Sequence, residues 1–350
     1  MSRFKSLSRM NISAFLTVLL ILILAAGCGG GGSSAEKKQE GEKAAPSQQK
    51  AESKAIDKLS LAAASPGGSL YVAGSNLATL VKEKMNVSLS VESTGGTAQN
   101  HQLLDSGQVL IGFGMTSDSA DGWEGKAKWT GGKQMRSVRS LAPMYPIQLQ
   151  LIATKGSGIS TLSDLKGKRI VLGPAASGHD QRWRNVFSIL GIEPKILNVP
   201  LGDASDMFRD GRIDALGMIS SIPTSTIADL DSTTDVVFVP MTKEEVDKIT
   251  KEASWAKPAT ISEGSYKQMK KETLSVESWI YLAANPNLPE DFAYKLLTVL
   301  YANQVELQKA NKNFAGMKPE NIANLNMPLH PGALKYYQEK GVKIPSELKQ

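Results

Sequence analysis

The sequence predicts an α/β protein made of two similarly built lobes, and three observations carry that prediction. Short apolar runs of strand length alternate with stretches whose apolar residues recur at helical spacing, the order that builds a mostly parallel sheet. The strand-like runs end in glycine-rich or small polar loops, placed where ligands collect outside the carboxyl ends of parallel strands. One series of features also occurs twice, at residues 66–118 and again at 173–223, offset by about 105 to 110 positions. The series runs glycine-rich loop, helix, strand, second loop, helix, Asp and Gly break, strand, polar tip. At 350 residues and 41% hydrophobic content the chain can bury one large core or two modest ones.

Taken in order, Leu59 to Ala64 is a short apolar strand that ends at the turn Ser65-Pro66-Gly67-Gly68. A helix follows, with Leu70, Ala73, Leu77 and Leu80 on one face. Val87, Leu89 and Val91 alternate with serines as in a strand, Thr94-Gly95-Gly96-Thr97 turns the chain, and a short helix runs to Leu104. Val109 to Phe113 is the next strand, ending at a polar tip, Met115-Thr116-Ser117-Asp118. Residues 121–134, rich in Gly, Lys and Trp, read as a surface excursion, and Ser137 to Ala153 as an extended crossover segment.

The second lobe repeats the plan. A strand at Arg169 to Leu172 meets the loop Gly173-Pro174-Ala175-Ala176-Ser177-Gly178, and the helix beyond it carries Trp183, Val186, Phe187 and Leu190 inward. Ile196 to Val199 is a strand, Leu201 to Ala204 a turn, Met207 and Phe208 mark a helix, and the strand Ile213 to Met218 ends at Ser220-Ser221-Ile222-Pro223. A third strand at Val236 to Val239 precedes the charged stretch Lys243 to Lys257, and Val276 to Ala284 crosses back to the first lobe. Pro289 followed by Glu290 and Asp291 is a strong helix start. The expected organisation is a first lobe of 58–150 plus 270–350 and a second of 151–269.

Ahead of the lobes, residues 1–27 place Arg3, Lys5 and Arg9 before the apolar run Ile12 to Ala26, the order of a secretory signal. The run of about 15 residues is short of the roughly 20 that span a bilayer. Leu24-Ala25-Ala26-Gly27-Cys28 has the form of a bacterial lipobox, with Ala25 where Leu is usual, so Cys28 is expected to be the acylated first residue of the mature chain. No second cysteine exists to pair with it. Residues 28–57 are Gly, Ser, Ala, Glu, Lys and Gln with too little apolar surface to fold, and are expected to be a disordered tether. Removing the leader cuts the net charge from +6 to about +3, which disfavours nucleic acid as a partner.

Pro66 to Tyr71, Ser93 to Thr97, Leu104 to Gly107 with Gly112-Phe113, Leu162 to Arg169, Gly173-Pro174 with Ser177-Gly178, Asp210 to Ala215, and Pro328 to Ala333 together resemble the TAXI branch of solute-binding proteins. These serve tripartite ATP-independent periplasmic (TRAP) transporters. The resemblance spans about 58–342 and is carried by order and spacing rather than by any one motif. It implies a two-lobed periplasmic-binding-protein fold of type II, each lobe a mixed sheet flanked by helices, closing over a small carboxylate or amino acid such as glutamate or a 2-oxoacid. Where relatives often continue Thr-Arg after Ser-Gly, this chain has His179-Asp180; Arg182 and Arg184 on the next turn are either a solvated helix face, the favoured reading, or a substitute clamp, with Arg182 the alternative candidate. Leu216-Gly217-Met218-Ile219 stands where relatives are Phe-rich.

The candidate ligand groups come from both lobes. Gly67, Gly68, Gly95 and Gly96 serve tight turns and equally let backbone N–H groups approach an anion, with Pro66 heading the first loop. Ser69, Thr94 and Ser177 are helix caps or ligand contacts, Thr116, Ser220, Ser221 and Pro223 form the polar tips, and Gly178 opens the second-lobe helix. Tyr71 and Tyr145 are aromatic walls with a hydrogen-bonding end, and His179 is a ligand contact or an exposed helix start. Three histidines without clustered acids or cysteines make no metal site, and no cofactor motif occurs. The expected function is a non-catalytic, monomeric receptor, anchored outside the cytoplasmic membrane, that passes its solute to a permease. A receptor for an ABC importer or a sensor kinase is the neighbouring reading. An exported phosphate- or acyl-ester hydrolase is the reading from another class, disfavoured because Ser177 and His179 are near neighbours in sequence and no Gly-Lys-Ser/Thr loop occurs.

Overall fold

The computed structural model describes residues 56–64, 66, 69–175 and 177–349. The expected leader, Cys28, the tether up to residue 55, Ser65, Gly67, Gly68 and Ala176 lie outside the described residues.

The first half is built from β1 (Lys58–Ala62), α1 (Ser69–Met85), β2 (Ser88–Glu92), α2 (Thr97–Asp105), β3 (Ile111–Met115) and α3 (Thr116–Glu124). A 16-residue strand, β4 (Arg139–Thr154), leads out of it. The second half has the same plan: β5 (Arg169–Val171), α4 (Gly178–Leu190), β6 (Lys195–Leu197), α5 (Leu201–Arg209), β7 (Ala215–Ser220) and α6 (Ser225–Thr233). Then come β8 (Val236–Phe238), α7 (Lys243–Glu252), β9 (Lys257–Ile261) and the 12-residue β10 (Thr273–Ala284). The chain closes with α8 (Glu290–Ala302), α9 (Gln304–Ala310), two 3-10 turns at Lys312–Gly316 and Pro319–Asn324, and α10 (Pro331–Glu339).

One sheet runs through both halves in the order β2-β1-β3-β10-β4-β7-β5-β6. In the first half β2, β1 and β3 are parallel and β10 is antiparallel to β3; in the second half β6, β5 and β7 are parallel and β4 is antiparallel to β7. Each half is therefore a parallel triplet closed by one antiparallel strand that belongs to the connection. The two connecting strands pair with each other from Arg139 opposite Ala284 to Gln148 opposite Glu277, with irregular register at Ile280/Tyr281 and Leu282/Ala283. Past that point β4 goes on to pair with β7 and β8, and β10 begins against β9. The crossing at Tyr145–Gln148 and Glu277–Trp279 is where the chain passes between halves.

The elements form where the apolar spacing dictates. α1 buries Ala73, Leu77, Leu80 and Val81 against the sheet, at about 1.5–3 kcal/mol for each large side chain, and its last turn carries Lys82 and Lys84 at the negative end of the helix dipole. The backbone turn before α2 needs Gly96, whose φ of 111° would strain any other residue. The largest core joins both halves, from Leu61, Phe113 and Tyr281 through to Trp183 and Phe187 on α4 and Ile249 on α7. A smaller cluster under α5 and α6, with Ile152, Phe208, Ile213 and Leu230, fills the far side of the second half.

Three stretches differ from the sequence reading. Met115–Asp118 is the end of β3 and the first turn of α3, whose Thr116, Ser117 and Ser119 are buried. On β10, Ser278 pairs with the Thr116 hydroxyl and takes the Ser117 N–H, and Tyr281 pairs with the Ser119 hydroxyl, a tertiary effect that local composition does not reveal. Leu201–Ala204 is the first turn of α5 rather than a loop, and β10 begins at Thr273 against β9, which Pro258 and its exposed neighbours obscure.

Candidate functional site

A groove of about 600 Å³ lies at the strand crossing. Its floor is Tyr145, Pro146 and Gln148 of β4; one wall is the β7 tip with Ser221 and Pro223 together with β9 and the residues after it; the other wall is the 3-10 turn Lys312–Gly316. The groove thus takes residues from both halves and from the strand that joins them.

Tyr145 is 6% exposed, and burial pushes its phenol above the usual range while the Ser69 hydroxyl hydrogen-bonds to it. That bond brings the first turn of α1 to the groove floor. Gln148 donates from Nε2 to Glu277 Oε2 at 3.2 Å, and Trp279 Nε1 donates to Glu277 Oε1 at 2.6 Å. These bonds fix the amide and leave Gln148 Oε1 buried without a partner among the described residues. Gly316 allows the wall to sit hard against β4, since a Cβ there would come 2.6 Å from the Met144 carbonyl oxygen and 2.9 Å from Tyr145 Cα.

The remaining candidates are distributed around this floor. Ser220 Oγ accepts from Gln150 Nε2 at 2.9 Å, Gln150 Oε1 accepts from Tyr266, and Tyr266 Oη in turn accepts from the Thr224 N–H at 3.0 Å. Burial raises the Tyr266 phenol to about 12, so it stays a donor. Thr116 Oγ1 pairs with Ser278 Oγ at 2.9 Å and accepts from the Trp279 N–H at 2.9 Å, which ties α3 to the crossing.

Thr94 is turned inward: its hydroxyl donates to Asn100 Oδ1 at 2.7 Å and accepts from the Gly96 N–H at 3.2 Å. Asn100 Nδ2 reaches the carbonyls of Ala63 and Phe113, so this pair fastens the ends of β1 and β3. Gly95 donates its N–H to Gln99 Oε1 at 2.6 Å, Tyr71 is half-buried against the core, and Pro66 is exposed.

In the second half, Ser177 caps α4 by accepting from the Asp180 N–H, and Gly178 lies beside Met115 of the first half, 4.0 Å from its Cε by the path of an added Cβ. His179 Nδ1 accepts from the Ile219 N–H at 3.0 Å. Burial lowers its basicity, so the ring is neutral with the proton on Nε2, a donor rather than a general base. Ser177 and His179 are each committed to these backbone bonds, and among the described residues no three His, Cys, Asp or Glu converge as metal ligands.

The arginines that could replace a missing clamp are neutralised. Arg182, 4% exposed, makes an ion pair with Asp121 of α3 and lies 3.7 Å from Asp118, joining the two halves opposite each other across α3 and α4. Desolvation raises the Asp121 carboxyl, against the pull of Arg182. Arg184 Nε pairs with Asp180 Oδ1 at 2.7 Å, which Asn198 also contacts. Lys312 on the groove wall is the cation that sequence reasoning passed over. Its segment, Asn311 to Gly316, has no periodic signal, and only the packing of Gly316 against β4 brings it to the site.

A parallel triplet in each half, two antiparallel connecting strands and a groove at their crossing define the two-lobed periplasmic-binding-protein fold. The chain belongs to the NMT1-like family, whose model matches residues 61–341. A TctC solute-binding protein from Polaromonas shares the fold, at 15% identity over 75% of this chain and 88% of that one, with a TM-score of 0.50. MatC from Rhodopseudomonas palustris, solved with bound malate, is 12% identical over 81% of this chain and 97% of its own, TM-score 0.48. The aliphatic sulphonate-binding protein SsuA from Escherichia coli is 13% identical over 81% and 84%, TM-score 0.43.

Proposed function

We propose that this chain is a solute-binding receptor of the TAXI type, held outside the cytoplasmic membrane through Cys28, that captures a small organic anion or amino acid and delivers it to a TRAP permease. The observation that carries the reading is the groove of about 600 Å³ at the crossing of β4 and β10, lined from both halves of the sheet. A solute seated there touches both lobes at once, and contacts with both are what give the closed form its higher affinity. The volume falls in the range of small-molecule sites. The commitments of Ser177 and His179 to backbone bonds favour binding over hydrolysis.

The test is a thermal-shift screen of the purified protein against carboxylates, sulfonates and amino acids, followed by calorimetry on any hit. A raised melting temperature with unchanged solute after long incubation is expected; no shift with any member of a broad panel would sink the reading. Transport coupling is checked in proteoliposomes: uptake with the receptor and a TRAP permease is expected to follow an ion gradient without ATP, whereas a requirement for ATP would move the chain to an ABC importer.

A further inference from the structure

We propose that the groove selects a singly charged, hydroxylated organic anion, a hydroxy monocarboxylate, and that Lys312 is the residue that reads its charge. The inference rests on the receptor reading above and narrows its ligand class. Lys312 is the one charged residue among the described lining residues, is exposed, and has no ion pair among the described residues. The other polar side chains there, including Tyr145, Gln148, Ser221, Ser262, Ser265 and Asn313, are uncharged groups. A site with one positive charge balances one negative charge, and a second carboxylate would enter without a partner.

Two nearby arginines do not alter this count, and the exposed carboxylates Glu263 and Glu320 stand beside the walls rather than among the lining residues. Arg182 is held by Asp121 and Asp118, and Arg184 by Asp180, so neither supplies a second cation. Glu277, the acid next to the floor, is not among the residues that line the groove, and its oxygens are turned to Gln148 Nε2 and Trp279 Nε1. An amino acid would therefore bring its ammonium into a groove that already holds the like charge of Lys312. Gln148 supplies the hydroxyl preference. Its Nε2 is fixed by Glu277, and its buried Oε1 lacks a donor that a ligand hydroxyl would provide.

The experiment is calorimetry of the intact protein and of Lys312→Met and Lys312→Arg, after melting curves without ligand have verified folding. The probes are D-gluconate and D-glycerate as hydroxylated monoanions, 2-oxoglutarate and succinate as dianions, L-glutamate for its ammonium, and glucose as a neutral polyol. Wild type is expected to bind gluconate or glycerate more tightly than every other probe. Lys312→Met should weaken that binding by about 10-fold or more, the scale of a lost charged hydrogen bond, with Lys312→Arg retaining most of it. Glutamate or a dianion binding as tightly as the best hydroxy acid, glucose matching it, or Lys312→Met binding like wild type would each overturn the inference and leave the receptor reading standing. No binding by any probe overturns this inference, and the wider screen then decides the receptor reading by itself.

Discussion

His101, buried, and His179, half-buried, have opposite tautomers, and both can be read from their partners. His101 Nδ1 donates to the Thr97 carbonyl at 2.9 Å, which leaves its Nε2 as an acceptor facing the Ser119 and Tyr281 hydroxyls; His179 Nδ1 instead accepts from the Ile219 N–H. Burial lowers the basicity of both rings. The unfolded chain takes up a proton at each near pH 6.5, while the folded chain does so only at lower pH, so stability is full above about pH 6.5 and falls as pH drops from there toward the folded values. Urea midpoints measured at pH 7.5 and 5.5 are expected to show this loss, and His179→Gln should remove part of it. An identical pH dependence in wild type and variant would place the proton uptake elsewhere. The comparison within one pair of proteins also cancels the contribution of Asp121, whose raised carboxyl acts in the other direction. The roles of single residues were only partly legible in the sequence. Small polar residues beside glycines marked the loops, but whether a hydroxyl faces a ligand or its own backbone is decided by partners far along the chain. Thr94 turned to Asn100 and the Ala63 carbonyl, and Thr116 to Ser278, 162 residues away.

At the scale of elements, the alternation of strands and helices and the doubled plan were legible because each depends on local spacing. The contacts between the halves were not. Arg182 on α4 meets Asp121 on α3 across 61 residues, and nothing in the amphipathic pattern of either helix points to it. Arg182→Met should destabilise the protein by about 3 kcal/mol in chemical denaturation, because the buried Asp118 and half-buried Asp121 carboxylates lose their cation; adding Asp121→Leu should recover part of the loss. A loss below 0.5 kcal/mol, the ordinary scale of surface substitutions, would show the pair to be solvated. The 3-10 turn at Lys312–Gly316 gives a second expectation at this scale. Gly316→Ala puts a Cβ into the β4 backbone, which no rotamer relieves, and should cost about 1–3 kcal/mol, read as a lowered melting temperature. The same substitution displaces Lys312 and Asn313 from the groove, so ligand affinity should fall with it. Unchanged melting and unchanged affinity would mean that the wall is free to shift.

At the scale of the whole molecule, two strands and one helix pair set how the halves can move. β4 and β10 cross at Tyr145–Gln148 and Glu277–Trp279, and their ladder on either side belongs to one half or the other, so bending is easiest at the crossing itself. The α3–α4 contact holds one side through Arg182, while the groove occupies the crossing on the side of the β7 tip and the Lys312–Gly316 wall. A ligand that touches both walls should therefore draw them together by rotation about the crossing, rather than by sliding one half along the other. Spin labels at the exposed positions Glu263 and Glu320, one beside each wall, introduced through cysteines in a Cys28→Ser background, would report the separation. Saturating ligand should shorten and narrow the distance distribution, and at 100 times Kd should add about 2.7 kcal/mol of stability by mass action. Arg182→Met should broaden the ligand-free distribution, because it releases the α3–α4 contact between the halves, and should converge on the wild-type distance at saturation. A ligand-free distribution in Arg182→Met as narrow as that of wild type would show that the strand crossing alone fixes the angle between the halves.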